Sequence, residues 1–247
     1  MESKSYCFFD FDNTLYKGKN GYLILDFPEF LAVKGLFNCL DLKNLQDLQF
    51  LYKNKHMSRD DFAIKVLETY YKGLAGKEEK DIFMEAVNFF EIKYNEIWFP
   101  YSLPLIQLMN KYTTTILVSG SPYEILELIC EKIDIKILFA TRGIIDKGVY
   151  TGEFNIDTEM ATYDAKKKLM DKLSKLYQFN TDSSFAFGAS ESDFPLFDAV
   201  NFKNSYLIGE NEGKLEREVN KDWNIVKRDK VSIEVINQRL SIVFPKI

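Results

Sequence analysis

The sequence predicts an α/β fold, in which a doubly wound, Rossmann-like parallel sheet core carries an inserted all-helical segment. Two patterns support this prediction. After Tyr101, short β-branched or aromatic segments alternate with helical ones, an order that is typical of doubly wound parallel sheets. Between about Tyr22 and Trp98, helical signals dominate and strand signals are almost absent. We therefore expect one sheet-based core and one helical subdomain.

The first predicted element is a buried strand that ends in two carboxylates. The apolar run over residues 6–9 is continuous, which is typical of a parallel strand covered on both faces. Asp10 and Asp12 follow it directly, and burying them is costly unless a metal ion or backbone N–H groups compensate their charge. Ligands of open α/β sheets bind at the carboxyl ends of strands, so this pair indicates a functional site. The alternative is a strand-to-loop turn that is merely acidic.

The helical segment contains two helices that the sequence delimits. Ser58 is an N-cap candidate, with Asp61 three residues later and an apolar face that begins at Phe62. Residues 78–90 carry apolar side chains at the spacing of a broad buried helix face. A turn punctuated by glycines, residues 72–77, separates the two helices.

Strands and helices then alternate along the rest of the chain. We predict strands over residues 114–118, 136–141, 185–187 and 206–208, and helices over residues 103–111, around 125–133, and over 164–176. Gly148 and Gly152 predict a short hairpin between residues 144 and 154.

The charge of the chain argues against nucleic acid as a partner. Its 247 residues carry a net charge of −5, whereas a nucleic-acid-binding domain favours a basic face. No stretch approaches the roughly 18 apolar residues of a membrane span, so we expect no integral membrane segment. The start of the chain also lacks the pattern of a signal peptide. A small molecule is the expected partner.

The cysteines and the single histidine restrict the chemistry further. Cys7, Cys39 and Cys130 are far apart and show neither a disulfide framework nor paired metal spacing. This pattern fits a reducing compartment, and we expect a cytoplasmic protein. His56 is the only histidine, which argues against a histidine metal site and against a Ser-His-Asp mechanism.

Polar residues recur beyond the first strand, where later elements begin or end. Ser119 and Gly120 follow the second strand, and Lys166 lies at the start of a later helix. The loop over residues 190–193 follows the strand at 185–187. Two alternatives stay open, because Ser119 can instead cap the following helix, and Lys167 can replace Lys166 as the inward-facing lysine.

The order and intervals of these parts resemble the haloacid dehalogenase-like phosphohydrolase superfamily, over nearly the whole chain. Within it, the sequence is similar to the phosphoserine-phosphatase-like subgroup. Four further segments share that similarity: residues 118–122, 140–142, 149–152 and 192–196. The resemblance implies a catalytic core of residues 1–17 and 99–247, with a helical cap of residues 18–98.

The same resemblance implies a Mg²⁺-dependent phosphatase that hydrolyses a phosphomonoester through an aspartyl-phosphate intermediate. Asp10 would be the nucleophile, and Asp12 the general acid and base. Ser119, Gly120 and Lys166 would bind the phosphate, whose charge such groups neutralise in the transition state.

The metal site departs from the family pattern in its fourth motif. The resemblance implies that Asp10, the Asp12 carbonyl and Asp193 bind Mg²⁺. Ala189, however, stands where the family has a metal-binding carboxylate, and Glu191 is the candidate to replace it.

Three further functions remain open at this point. The first, supported by Ala189, is a catalytically weakened protein of this fold with a binding or regulatory role. A phosphatidylglycerophosphate-type lipid phosphatase and a phosphotransferase are the others. The segment over residues 17–22 is basic and lacks the acid that grips the amino group of phosphoserine, which favours an anionic or bulkier substrate. Arg59 and Arg142 are candidate cations for it.

Overall fold

The computed structural model describes residues 4–177, 179–209 and 223–245. The strands are β1 (Tyr6–Phe9), β2 (Thr114–Pro122), β3 (Ile137–Thr141), β4 (Gly143–Asp146), β5 (Val149–Phe154), β6 (Phe185–Gly188), β7 (Ser205–Gly209) and β8 (Asn224–Lys227). Six of them form a central parallel sheet of order β3-β2-β1-β6-β7-β8, and β4 and β5 form a separate antiparallel hairpin. The predicted doubly wound core is confirmed.

Helices cover both faces of this sheet because successive side chains of a strand point in opposite directions. Phe9 belongs to one hydrophobic cluster, with residues of the helices over 102–109, 123–133 and 233–243. Phe8 belongs to the other, with residues of the helices over 163–176 and 194–198. The helices are α1 (Leu23–Val33), α2 (Cys39–Lys53), α3 (Arg59–Gly73), α4 (Glu79–Lys93), α5 (Ser102–Met109), α6 (Tyr123–Ile133), α7 (Tyr163–Leu176), α8 (Phe194–Asp198) and α9 (Ile233–Val243).

The segment between β1 and α5 is helical, as predicted. It consists of α1 to α4, and the Ser58 hydroxyl accepts a hydrogen bond from the Asp61 amide at 3.1 Å. Ser58 is therefore the N-cap of α3. The sequence did not delimit α1 and α2, and β8 and α9 had no predicted counterpart. None of the helices in the described residues is long and apolar enough to span a membrane.

In the described residues, backbone hydrogen bonds join the helical segment to the core at two places. Where the chain leaves and re-enters the core, the Lys17 amide donates to the Ile97 carbonyl at 2.6 Å. At the second place, the Tyr150 amide of β5 donates to Lys77, and the Gly76 amide donates back to Tyr150, both at 2.9 Å. The predicted hairpin thus packs against the end of α3.

The strand register brings the predicted site residues to one edge of the sheet. Phe9 lies between Leu117 of β2 and Phe187 of β6. Asp10, which follows Phe9, donates its backbone N–H to the Phe187 carbonyl at 2.9 Å. The carboxyl ends of β1, β2 and β6 are therefore neighbours, and the helical segment lies over them.

Candidate active site

A cavity of about 510 Å³ lies between the carboxyl ends of these strands and the helical segment. The core contributes several polar residues to its wall, and the helical segment contributes mainly aromatic and aliphatic ones. The lining residues include Asp10, Asp12, Gly120, Ser121, Lys166, Ala189, Ser190 and Arg228 from the core, and Asn20, Tyr22, Tyr52, Lys53, Arg59, Phe62 and Val66 from the helical segment.

Asp10 is buried and has a hydrogen-bond partner on each carboxylate oxygen. Oδ2 accepts from the Thr14 hydroxyl at 2.8 Å, and Oδ1 accepts from Lys166 Nζ at 2.9 Å. Burial and the charge of Asp193 raise the pKa of Asp10, and Lys166 opposes this rise. The ammonium group therefore favours the ionised carboxylate, which is the form that can attack an electrophile.

Asp12 is held between the helical segment and the core. Its Oδ1 accepts from the Leu23 amide, at the start of α1, at 2.7 Å. Its Oδ2 accepts from the Ser121 hydroxyl at 2.7 Å, with the Ser119 hydroxyl more distant at 3.4 Å. Burial, followed by the charge of Asp10, raises the pKa of Asp12 to about 7. A carboxyl with this pKa can give up and take a proton near neutral pH.

Lys166 is the inward-facing lysine of α7, while Lys167 and Lys168 are exposed. Its Nζ lies 2.9 Å from Asp10 Oδ1 and 2.5 Å from Asp193 Oδ1. Burial disfavours the ammonium charge, but the two carboxylates outweigh burial and raise the pKa of Lys166. The lysine therefore stays charged between them.

Asp193 is fully buried and has partners on both carboxylate oxygens. Its Oδ2 accepts from the backbone amides of Ala189 and Ser190, both at 2.9 Å, and from the Ser190 hydroxyl at 3.0 Å. Its Oδ1 pairs with Lys166. Burial opposes its charge, but Lys166 and the two amides outweigh burial and lower the pKa of Asp193. This carboxylate organises the loop after β6.

The loop after β2 differs from the prediction in one respect. Strand β2 continues to Pro122 through an irregularity in its register, instead of ending at residue 118. Ser119 is buried and accepts a hydrogen bond from the Ser121 amide at 3.1 Å, and α6 has no side-chain cap. The helix-cap alternative for Ser119 is therefore wrong. Ser119 is not among the cavity-lining residues, whereas Gly120 and Ser121 are.

Gly120 has a steric reason to be glycine. A Cβ at this position would collide with Ala161, whose backbone and side chain pack directly against it. The loop before α7 can thus approach β2 closely, and Lys166 follows five residues after Ala161.

The acidic residues present fit only a sparse metal site. No group of three or more His, Cys, Asp or Glu side chains placed to hold a metal occurs among the described residues. Asp10 and Asp12 line the cavity, whereas Asp193 does not, and Ala189 brings no donor side chain. Glu191 is exposed and lies outside the cavity wall. Mg²⁺ accepts such a site, because it binds through one or two carboxylates, water and substrate phosphate.

Several residues at the site escaped the sequence analysis. Ser121 contacts Asp12, and its only signal was its place two residues after Ser119. Asp26 of α1 accepts from the Asn20 amide at 3.0 Å and thereby shapes the loop at the cavity. Arg228 donates from Nε to the Asn13 carbonyl at 3.0 Å, and nothing in the sequence linked these two distant positions.

The family comparison covers most of the chain. A family model described as haloacid dehalogenase-like hydrolase matches residues 7–198. That range includes Asp10, Ser119, Lys166 and Asp193, but ends before Arg228. A search of curated proteins found no match.

Solved structures share the fold at low sequence identity. A phospho-aspartyl intermediate analogue of phosphoserine phosphatase has a TM-score of 0.65 at 16% identity, covering 96% of this chain and 99% of that one. A protein of unknown function from Bordetella pertussis Tohama I has a TM-score of 0.72 at 17% identity, with coverages of 92% and 100%. Cytosolic 5'-nucleotidase IIIB bound to cytidine has a TM-score of 0.67 at 11% identity, with coverages of 98% and 86%. At these identities the likeness concerns the fold.

Proposed function

The chain belongs to the haloacid dehalogenase-like hydrolase family, and on this premise we propose that it is a phosphatase that hydrolyses a phosphomonoester through an aspartyl-phosphate on Asp10. One observation carries the proposal. Lys166 Nζ lies within hydrogen-bond distance of Asp10 beside a second carboxyl, Asp12, whose pKa is about 7. A nucleophile paired with a cation next to a proton donor is the arrangement that phosphoryl transfer requires.

In the first half-reaction, an Asp10 oxygen would attack phosphorus, and the bond from phosphorus to the leaving oxygen would break. Asp12, protonated at the start, would give its proton to that leaving oxygen. Lys166 and the backbone N–H of Gly120 would offset the negative charge on the transferring group. The products would be an alcohol and the mixed anhydride of Asp10 with phosphate.

In the second half-reaction, water would attack the phosphorus of that anhydride. Asp12, now ionised, would take a proton from the water, and the bond between phosphorus and Asp10 would break. Phosphate leaves, Asp10 is again a carboxylate and Asp12 is again protonated. A pKa near 7 suits both roles, because Asp12 must both release and accept a proton near neutral pH.

Mg²⁺ is the proposed cofactor, held by the Asp10 side chain and the Asp12 carbonyl. When bound, it would neutralise negative charge on the phosphate oxygens. Asp193 would act mainly by holding Lys166 and the loop after β6. The proposal also includes Asp193 as a Mg²⁺ ligand, and Glu191 is a further candidate ligand. Ser119 would position Ser121 and contribute to the phosphate-binding loop.

The helical segment would act as the cap, with boundaries at residues 18 and 98. The two connections between this segment and the core run side by side, where the Lys17 amide donates to the Ile97 carbonyl. The cap also supplies the Leu23 amide to Asp12, so closing it over the core would place the general acid and exclude water.

A weakly active or inactive phosphate-binding protein is a second candidate. It is favoured by Ala189 and by Asp193, which lies outside the cavity wall and pairs with Lys166 and the loop amides. Such a protein would bind phosphomonoesters without turning them over.

The test is hydrolysis of phenyl phosphate by the purified protein with Mg²⁺. We expect turnover that EDTA removes and that Asp10→Asn abolishes, while the exposed Asp47→Asn serves as a matched control. Acid quenching should trap phosphate on Asp10 of the wild type. Absence of turnover across a panel of soluble and lipid phosphomonoesters, at any Mg²⁺ concentration, would contradict the phosphatase proposal. Retained binding of phosphonates would then identify the second candidate.

A further inference from the structure

The loop that carries both proposed catalytic carboxyls is a tight turn. The amides of Thr14, Leu15 and Tyr16 all donate to the Phe11 carbonyl, at 3.2, 2.9 and 2.8 Å. Asn13, inside this turn, has a φ of 61°, in the left-handed region that few residues other than glycine adopt. Such a backbone conformation persists only where surrounding contacts hold it. The turn therefore depends on contacts from other parts of the chain.

Three side chains from elsewhere each donate to one of three successive carbonyls of this turn. The pairs are Arg228 Nε with the Asn13 carbonyl at 3.0 Å, the Tyr101 hydroxyl with the Thr14 carbonyl at 2.6 Å, and the Ser102 hydroxyl with the Leu15 carbonyl at 2.7 Å. Tyr101 and Ser102 are buried in the core. Arg228 is half-buried and lines the cavity, so of these three donors it is the one at the site itself.

Arg228 reaches the turn from the far part of the sheet. It follows β8 directly and begins a short turn, Arg228–Lys230. Strands β6 and β7 separate β8 from β1, so the arginine extends along the carboxyl edge of the sheet to reach Asn13. The Phe99 ring, whose centroid lies 5.5 Å from the guanidinium carbon, supports the planar group by a cation–π contact.

Asn13 connects this contact to the chemistry. Its side chain packs closely on the helical segment, because a Cβ on Gly21 would lie 2.6 Å from Asn13 Oδ1. The next residue, Thr14, donates from its hydroxyl to Asp10 Oδ2 at 2.8 Å. A displacement of the peptide between Asn13 and Thr14 would therefore move a partner of the proposed nucleophile.

We propose that Arg228 is a positioning residue, which holds the turn that presents Asp10 and Asp12 to the phosphate by donating to the Asn13 carbonyl. This inference rests on the proposed phosphatase function. It assigns a role to a residue beyond positions 7–198, the range that the family model matches. Because a displacement of about 1 Å at a reacting group can cost roughly a hundredfold in rate, the contact acts on turnover and not on substrate affinity.

The experiment measures kcat and KM for phenyl phosphate, with saturating Mg²⁺, in three variants of Arg228. Arg228→Met removes both the donor and the charge, and we expect kcat to fall roughly tenfold to a hundredfold while KM changes by less than about twofold. Arg228→Gln removes the charge but places an amide nitrogen where Nε lies, so it should recover part of kcat. Arg228→Lys keeps the charge but lacks Nε, and it should recover less than Arg228→Gln.

The matched control is Lys230→Gln, which removes one positive charge from an exposed position of the same short turn and should keep the wild-type kcat. Recovery by Arg228→Lys with none by Arg228→Gln would overturn the inference, because Arg228 would then act through its charge. A rise in KM at unchanged kcat in Arg228→Met would also overturn it, because Arg228 would then bind the substrate.

The inference can fail separately from the proposed function. If the wild type does not hydrolyse phenyl phosphate, the phosphatase proposal falls, and amide hydrogen exchange decides whether Arg228 holds the turn. Arg228→Met should speed exchange of the Thr14, Leu15 and Tyr16 amides roughly tenfold, and Lys230→Gln should not. Unchanged exchange at these amides would overturn the inference. So would an equal increase throughout the protein, which would show that Arg228 stabilises the fold as a whole.

Discussion

The environment of Asp12 combines a backbone donor from the helical segment with a hydroxyl from the core. The Leu23 amide and the Ser121 hydroxyl each approach one carboxylate oxygen at 2.7 Å. Two short hydrogen bonds restrict the rotation of a short side chain, so the carboxyl is directed before substrate arrives. Ser121 is thus a positioning residue for the proposed general acid.

Replacing Ser121 should therefore matter most when the leaving group needs a proton. We expect Ser121→Ala to lower kcat for an alkyl phosphate roughly tenfold, because one neutral-to-charged hydrogen bond is lost, and to lower kcat for 4-nitrophenyl phosphate much less. Steady-state kinetics on both substrates provide the measurement. Ser205→Ala removes a buried hydroxyl far from the cavity and is the control. Equal losses on the two substrates would indicate a general structural effect.

Glu124 is a second carboxyl whose environment predicts a pH effect, this time on stability. Burial raises the pKa of Glu124 from 4.5 to about 7, although the Tyr150 hydroxyl donates to it at 2.9 Å. Between pH 4.5 and about 7, the folded state therefore keeps a proton on Glu124 that the unfolded chain has released. Stability contributed by this proton is present below pH 4.5 and is lost as the pH rises to about 7.

Urea unfolding between pH 5 and 8 should reveal this loss in the wild type. Glu124→Gln should remove the part that Glu124 contributes, so that the free energies of unfolding of wild type and variant diverge by ~2 kcal/mol across the range, after discounting for partial exposure. The exposed Glu127→Gln on the same helix should keep the wild-type slope. Parallel curves for wild type and Glu124→Gln would show that Glu124 titrates normally in the folded protein.

At the scale of elements, the loop between β6 and α8 is held by internal hydrogen bonds and has alanine where the sequence resemblance implies a metal-binding carboxylate. Its first residue after the strand, Ala189, uses only its backbone amide, which donates to Asp193 at 2.9 Å. Ser190 donates to the same oxygen from both its amide and its hydroxyl. The loop is thus well ordered by hydrogen bonds but lacks a carboxylate that faces the cavity.

Restoring a carboxylate in this loop should strengthen metal binding. We expect Ala189→Asp to raise Mg²⁺ affinity roughly tenfold or more, because the site would gain a charged oxygen ligand at the cavity wall. Isothermal titration with Mg²⁺ and the Mg²⁺ dependence of turnover would measure it. Glu191→Ala is the paired variant. If Ala189→Asp changes nothing and Glu191→Ala weakens binding, Glu191 already supplies the missing oxygen.

At the scale of the whole molecule, one ammonium group connects three distant parts of the chain. Lys166 from α7 bridges Asp10 at the end of β1 and Asp193 beside β6, and all three side chains are buried. Removing one partner of a buried ion pair leaves uncompensated charge, which costs more than the pair contributes. The site and the fold therefore depend on the same contact.

Lys166→Met should lower the free energy of unfolding by ~3–5 kcal/mol at neutral pH, because two buried carboxylates lose their cation. Urea denaturation measures this, and the double variant with Asp193→Asn should recover part of the loss. Lys167→Met, at an exposed position of the same helix, should change stability by less than ~0.5 kcal/mol. A Lys166→Met protein as stable as the wild type would show that the ion triad contributes little to the fold.

By itself the sequence determined five of the six strands of the sheet, the helical insertion and the residues at the strand ends. This information is local, because each feature is recognised from residues next to it in the chain. Examples are the strand that contains Phe8 and Phe9, the N-cap at Ser58, and the pair Asp10 and Asp12. Hydrogen-bond partners could not be predicted from such local patterns, because they lie in segments that only folding brings together. The tertiary structure alone decided that Ser121 holds Asp12 and that Asp193 pairs with Lys166 and with its own loop. It also decided that Arg59 lines the cavity, a property that depends on the packing of the helical segment over the sheet edge.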